Sequence, residues 1–122
     1  DCDAAFIARM DEKDKERGYN LYWQRGLIHL QFMHEVPKNM ITLVSKTPAP
    51  PDQWHHVFAT YDGSGKAAGL KCYVDGKLIE MNVGKDTLTQ TIVSDRVPLT
   101  IGGRTPGATR RPARSASAMT RA

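Results

Sequence analysis

Three carboxylates at alternating positions, Glu12, Asp14 and Glu16, are the first pattern in this 122-residue chain that could do chemistry. On a strand they would share one face, and two carboxyl groups about 5–5.5 Å apart serve as nucleophile and acid/base in retaining glycoside hydrolysis. Lys13 and Lys15 separate them, so a strand here would be charged on both faces. The segment is therefore predicted to be a solvated loop, and no catalytic residue is predicted.

The adjacent pair His55 and His56 could in principle bind a metal ion. Neighbouring side chains on a strand point to opposite faces, and the chain offers no His or Cys partner at the spacing of a zinc site. The pair is therefore predicted to belong to the scaffold, and no metal or other cofactor is assigned to it.

A set of rings and amides flanks Arg25-Gly26. Sugar sites combine aromatic rings, which stack on pyranose faces, with polar groups that bond to hydroxyls. If Arg25-Gly26 is a two-residue turn, one face of the hairpin holds the four candidate carbohydrate-binding residues Tyr22, Gln24, His29 and Gln31. An ordinary half-polar outer face is the alternative interpretation. Trp23 and Trp54 are interpreted as core anchors.

The same turn fixes the opposite face of this hairpin. It pairs Trp23 with Ile28 and Leu21 with Leu30, so the core side chains are Leu21, Trp23, Ile28, Leu30 and Phe32. A second hairpin is predicted around Asp75-Gly76, because Asp-Gly readily adopts the positive φ angles of a tight turn. Its register sets Lys71 opposite Glu80 and Cys72 opposite Ile79, which makes Cys72 a core residue.

Short alternating segments with a turn signal at each break predict an antiparallel two-sheet β-sandwich. The remaining strands are expected at 4–10, 39–46, 53–61, 88–93 and 99–101. The charged segment 11–18, the proline-rich segment 47–52 and the glycine-rich segment 63–69 are expected to be loops. The length is that of a single domain.

The charge is unevenly distributed along the chain. Residues 1–104 hold 13 Lys+Arg and 13 Asp+Glu, whereas 105–122 add four arginines and no acid, which gives the net charge of +4. A nucleic-acid partner needs a basic surface on the folded body, and none is predicted. Membrane insertion is also not expected, since no apolar run approaches about 20 residues. The sandwich is assigned to 1–104, and 105–122 is predicted to be a disordered tail.

Two segments resemble a known family. W-H-H-V-F-A-T-Y-D-G, which begins at Trp54, and Y-V-D-G-K, which begins at Tyr73, resemble the laminin G-like, concanavalin A-like lectin/glucanase family over roughly residues 4–104. The resemblance implies a jelly-roll sandwich. After P-L-T-I-G (98–102), the family's closing strand, roughly G-x-I-D-D-V-R-I-Y, has no counterpart, so a sandwich truncated at one or both ends is expected.

The segment 7–26, with R-G-Y-N-L-Y-W-Q-R-G, and the segment from Trp54 to Lys77 together resemble a narrower group. This is the lectin-like module of large exported planctomycete proteins that carry cytochrome-c-like domains. This resemblance implies an extracytoplasmic, non-catalytic module for carbohydrate binding or adhesion. Its partners would be carbohydrate or neighbouring domains of the parent chain. The alternatives are a protein-interaction or spacer domain and, less favoured, a glycoside hydrolase.

The family also implies a calcium ion at the sandwich rim in many members, bound by the oxygen ligands that Ca²⁺ requires. The loop carboxylates that could donate here are Asp62, Asp75, Asp86 and Asp95. Asp62 and Asp75 are also explained by their turns, where Asp makes local hydrogen bonds. Asp62 and Asp95 are kept as weak candidates.

Overall fold

The computed structural model describes residues 4–50, 52–103 and 119–121. These residues form ten strands and one short 3₁₀ turn, Ala67–Gly69. The strands are β1 Ala4–Asp11, β2 Arg17–Gln24, β3 Leu27–Glu35, β4 Asn39–Ser45, β5 Trp54–Tyr61, β6 Leu70–Val74, β7 Lys77–Leu78, β8 Met81–Asp86, β9 Thr100–Ile101 and β10 Met119–Arg121.

The strands form two antiparallel sheets, as the sequence predicts. Sheet A has the order β8-β4-β3-β2-β1-β9, and sheet B has the order β10-β5-β6-β7. Between the sheets lies one core cluster, to which the 3₁₀ turn adds Ala67 and the segment after β8 adds Leu88. It contains Phe6, Leu21, Ile28, Leu30, Ile41, Leu43, Val57, Ala67, Leu70, Cys72 and Leu88. The prediction of an all-β sandwich is confirmed.

Two tight turns set the strand registers. Arg25 and Gly26 have φ angles of 51° and 84°, and Asp75 and Gly76 have 53° and 80°. Positive φ at both central residues is the signature of the primed turn that suits a two-residue hairpin. The predicted pairs Trp23–Ile28 and Leu21–Leu30 are present. In the second hairpin the amide of Ile79 donates to the carbonyl of Cys72 at 2.9 Å.

The second hairpin ends earlier than expected. Its paired residues stop at Leu78, and the chain crosses to sheet A, where Met81–Asp86 forms β8 beside β4. The predicted Lys71–Glu80 charge pair is wrong, because the Glu80 carboxylate lies 3.4 Å from Lys46 Nζ. Cys72 is a core residue as predicted, and burial raises the pKa of its thiol to about 11.

The predicted strand 88–93 is also wrong, since this segment makes no ladder. It runs irregularly over the end of sheet A, where Leu88 is buried in the core and Ile92 packs against it. Side chains of sheet A bind its backbone instead: Arg9 Nε donates to the carbonyl of Val97 at 3.1 Å, and His34 Nδ1 lies 2.7 Å from the carbonyl of Thr91. We call residues 87–99 the strap.

Asp11 is the charged side chain of sheet A that binds the strap. Its side chain is only 5 % exposed, and its Oδ2 lies 2.9 Å from an Arg96 guanidinium nitrogen. Ser94 Oγ donates to the same oxygen at 3.1 Å. Burial alone raises the pKa of Asp11, but the Ser94 hydrogen bond and the Arg96 charge outweigh it and hold the pKa below its ordinary value.

The predicted tail lies mostly outside the described residues. Only its residues 119–121 are described, and they form β10, which pairs antiparallel with residues 54–56 of β5. At those three positions the structure differs from the expected disorder. The domain boundary at 104 stays a prediction.

Replacing Asp11 with Asn should lower the melting temperature at pH 7, because Arg96 loses its buried counter-charge. A lowered pKa contributes stability above the ordinary value of 3.8 and loses it as the pH falls through the folded value. The deficit of the variant should therefore shrink from pH 7 towards pH 3 in thermal melts. Asp95→Asn, at an exposed strap position, is the control. Equal deficits at both pH values would contradict the assignment.

Candidate functional site

The four predicted sugar-binding residues lie together on the outer face of sheet A. Tyr22 is paired with His29 across β2 and β3, and their rings stack with centroids 4.7 Å apart and planes inclined by 14°. Gln31 Nε2 donates to the Tyr22 hydroxyl at 3.3 Å. Gln24 is on the same strand face, and all four side chains are half-buried. We call this set the polar platform.

The platform is one end of a longer face. On β4, Thr42 and Val44 lie opposite Gln31 and His29. In the other direction the face becomes apolar, where Met10, Met33 and Met40 form a small buried cluster with Val36 packed on it. This cluster was not expected from the sequence, because its three methionines come from three separate strands and no local pattern in the chain links them.

Asn20 lies between the platform and the methionine cluster. It is two residues from Tyr22, so it faces the same side, and its direct neighbours across the strands are Ala8 and Gln31. Its side chain is fully buried, and neither amide atom has a hydrogen-bond partner among the residues that the structure describes. Strand alternation alone could have placed Asn20 on the platform face, but its burial could not be inferred from the sequence.

The carboxylate triplet lies in the turn between β1 and β2, as the intervening lysines predict. Lys15 and Glu16 have φ angles of 56° and 60°, which no strand adopts. Asp14 is held by ion pairs with Arg17 at 3.1 Å and Arg96 at 3.3 Å. The triplet therefore does not form the single carboxylate face that retaining glycoside hydrolysis needs.

The two adjacent histidines point to opposite faces of β5. His55 is buried, whereas His56 is exposed. His55 Nδ1 lies 2.7 Å from Asp75 Oδ2, and its Nε2 lies 2.8 Å from the carbonyl of Pro50. Both partners are acceptors, so this arrangement is fully satisfied only when both ring nitrogens donate, which is the protonated, positively charged ring. We call the contact of His55 with Asp75 the His55–Asp75 clamp. Together with the Pro50 contact, it joins the loop before β5 to the turn after β6. His55 therefore has a scaffold role.

The candidate calcium ligands are occupied by local contacts. Asp62 Oδ1 accepts from the amide of Ser64 at 2.9 Å, and Asp86 Oδ1 accepts from the amide of Ala67 at 2.9 Å. Asp75 binds His55 and also accepts from the amide of His56 at 2.9 Å. Over 4–50 and 52–103, no three His, Cys, Asp or Glu side chains gather to hold a metal ion. Asp95 is exposed, and the described residues offer no carboxylate cluster that fits a calcium ion.

Sheet B presents an aromatic outer face that the sequence interpretation did not find. Trp54 is 60 % exposed and Phe58 is 48 % exposed, so the prediction of Trp54 as a core anchor is wrong. The inward positions of β5 are His55 and Val57, and alternation turns Trp54 to solvent. The Phe58 ring lies 6.0 Å from that of Tyr73 on β6. Trp23, by contrast, packs against the core as expected.

A family model of the laminin G type, described as the concanavalin A-like lectin/glucanases superfamily, matches residues 2–115. The chain belongs to this superfamily. Searches of curated proteins and of solved structures returned no match to it. The two-sheet fold is the one expected of a concanavalin A-like domain. No helix in the described part of this domain is long and apolar enough to cross a membrane.

The His55–Asp75 clamp is predicted to contribute most to stability in mildly acidic solution. The Asp75 hydrogen bond, helped by the Pro50 carbonyl, raises the pKa of His55 above 6.5. The His55 hydrogen bond lowers the pKa of Asp75 below 3.8. The clamp is complete between these ordinary values, and it weakens as pH rises through the folded pKa of His55 or falls through that of Asp75.

His55→Gln should therefore lower the melting temperature most near pH 5.5, and the deficit should shrink by pH 8.5. Thermal melts of both proteins across that range measure the effect. The exposed His56→Gln is the matched control and should show no such trend. A deficit that grows as the pH rises would contradict a charged His55.

Proposed function

We propose that this domain is a non-catalytic carbohydrate-binding or adhesion-type module and that the polar platform is its sugar site. The observation that carries the proposal is the Tyr22–His29 stack with the Gln31 amide bound to the Tyr22 hydroxyl. Two rings and two amides on one rigid hairpin provide both kinds of contact that a sugar needs. The superfamily supports a lectin-like or interaction module in general.

The platform is suited to a shallow, extended ligand. Its residues come from two central strands of a six-stranded sheet, so their backbone is already fixed before binding, which reduces the entropy cost of association. The neighbouring strand β4 adds a hydroxyl, Thr42, and an aliphatic group, Val44, along the same face. A polysaccharide segment lying across the strands would meet rings, amides and this hydroxyl in turn.

The proposed function involves no catalysis. The laminin G-like family is generally non-catalytic, and the only carboxylate triplet suggested by the sequence lies in a turn. Loss of turnover of a β-glucan in Glu12→Gln would be evidence for a hydrolase instead. The narrower resemblance further supports an extracytoplasmic location in a larger, planctomycete-type surface protein.

The double variant His29→Ala with Gln31→Ala should weaken glycan binding about tenfold or more, because each substitution removes a contact worth about 1 kcal/mol. The measurement is a glycan array that includes β-glucan oligosaccharides, followed by titration calorimetry of the glycans that bind. Phe58→Ala, on the opposite sheet, is the control and should bind normally. Absence of binding to any glycan at millimolar concentration would refute the proposed function.

The second candidate is a protein-interaction or spacer domain, and the aromatic face of sheet B favours it. Trp54, Phe58 and Leu78 are each about half exposed or more. Monomeric proteins rarely expose a large contiguous apolar patch without a functional reason. In this alternative, the neighbouring domains of the parent chain cover the patch.

Trp54→Ser with Phe58→Ser should then abolish co-purification of the domain with separately expressed neighbouring domains, while His29→Ala should leave it intact. The reverse pattern would assign the contact to the polar platform. Circular dichroism melts of each variant establish that the fold is retained.

A further inference from the structure

Asn20 is buried without hydrogen bonds. Its side chain is 0 % exposed, and in the described chain the buried side-chain polar atoms without partners are its Nδ2 and Oδ1 together with Trp23 Nε1. An amide has two donors and an acceptor with two lone pairs. Burying it without partners disfavours folding, and native proteins rarely tolerate such a group unless water, ligand or function explains it.

The surroundings of Asn20 on the strands provide no replacement partner. Directly opposite lie Ala8, which has no polar side-chain atom, and Gln31. The Gln31 amide is already turned towards the Tyr22 hydroxyl. On its own strand the preceding same-face residue is Gly18, which has no side chain. Beside Gly18, the same face of sheet A ends in the apolar methionine cluster.

The neighbours of Asn20 can nevertheless move. The Gln31–Tyr22 hydrogen bond is long, at 3.3 Å, and a long bond is readily exchanged for a better one. Methionine side chains are flexible and adapt to new neighbours. Gln31 is the direct cross-strand neighbour of Asn20, so a hydroxyl that draws the Gln31 amide away from Tyr22 would lie next to the Asn20 amide.

From this arrangement we propose that Asn20 is a ligand-binding residue at the floor of the polar platform, where its amide takes a saccharide hydroxyl, directly or through one water. This inference rests on the proposed function and deepens it. Among the described residues the amide has no hydrogen-bond partner, and the ligand supplies the missing partners. Selectivity follows, because a sugar without a hydroxyl at that position leaves the buried amide unpaired.

The test is Asn20→Leu, which replaces the amide with an apolar group of similar size. A structural asparagine loses stability in this change, whereas an unsatisfied one gains it. The melting temperature of Asn20→Leu should therefore rise by a few degrees. Its affinity for laminarihexaose should fall about tenfold. If the wild type does not bind laminarihexaose, the probe is the array oligosaccharide that it binds most tightly. The Asn20 side-chain NH₂ resonance of the wild type should shift during the same titration.

Asn39→Leu is the matched control. Asn39 Nδ2 donates to Thr89 Oγ1 at 2.7 Å, and its Oδ1 accepts from the amide of Thr89 at 2.9 Å. It lies away from the platform, so this variant should lose stability and keep its affinity. Asn20→Ala, which also removes the amide, provides a second variant if leucine overpacks the site.

Three results would count against the inference. If the wild type binds glycan and Asn20→Leu binds equally well, Asn20 is not a ligand-binding residue, but the polar platform remains the proposed sugar site. If both Asn20 variants lose stability as Asn39→Leu does, the amide is structural. If the wild type binds no glycan, the proposed function fails and this inference fails with it.

Discussion

The register of the β2–β3 hairpin is the constraint on which the rest of the molecule depends. Side chains alternate between faces, so a slip of one residue would exchange every inward group for an outward one. The left-handed conformations of Arg25 and Gly26 prevent that slip. They send Leu21 and Leu30 into the core and leave Tyr22 and His29 outside as a stacked pair. Core and candidate site are two consequences of one turn.

Sequence reasoning succeeded where such local signals act. The two Gly-containing turns predicted both hairpins, and the lysines inside the carboxylate triplet predicted the loop at 12–16. It failed where long-range packing decides. Residues 88–93 of the strap were taken for a strand because they have β propensity, but their place is set by His34 and Asn39, which lie 57 and 50 positions from their partners. Trp54 was taken for core because it is large and apolar, although its neighbour His55 occupies the inward position.

The two outer faces of the sandwich differ in chemistry. Sheet A offers half-buried rings and amides backed by a buried asparagine, which are features suited to a hydroxyl-rich ligand. Sheet B offers the exposed rings of Trp54 and Phe58, with the Tyr73 ring beside Phe58.

The strap also affects how the chain can fold. The edge of β1 away from β2 is held by Val97 of the strap and by Thr100 of β9, which are separated from their partners by 88 and 92 positions. The meander β1–β4 can form from near neighbours, but that edge stays open until almost the whole described body has been synthesised. Non-local closure of this kind raises contact order and slows folding. On a ribosome, the growing chain would expose β1 to other chains for most of its synthesis.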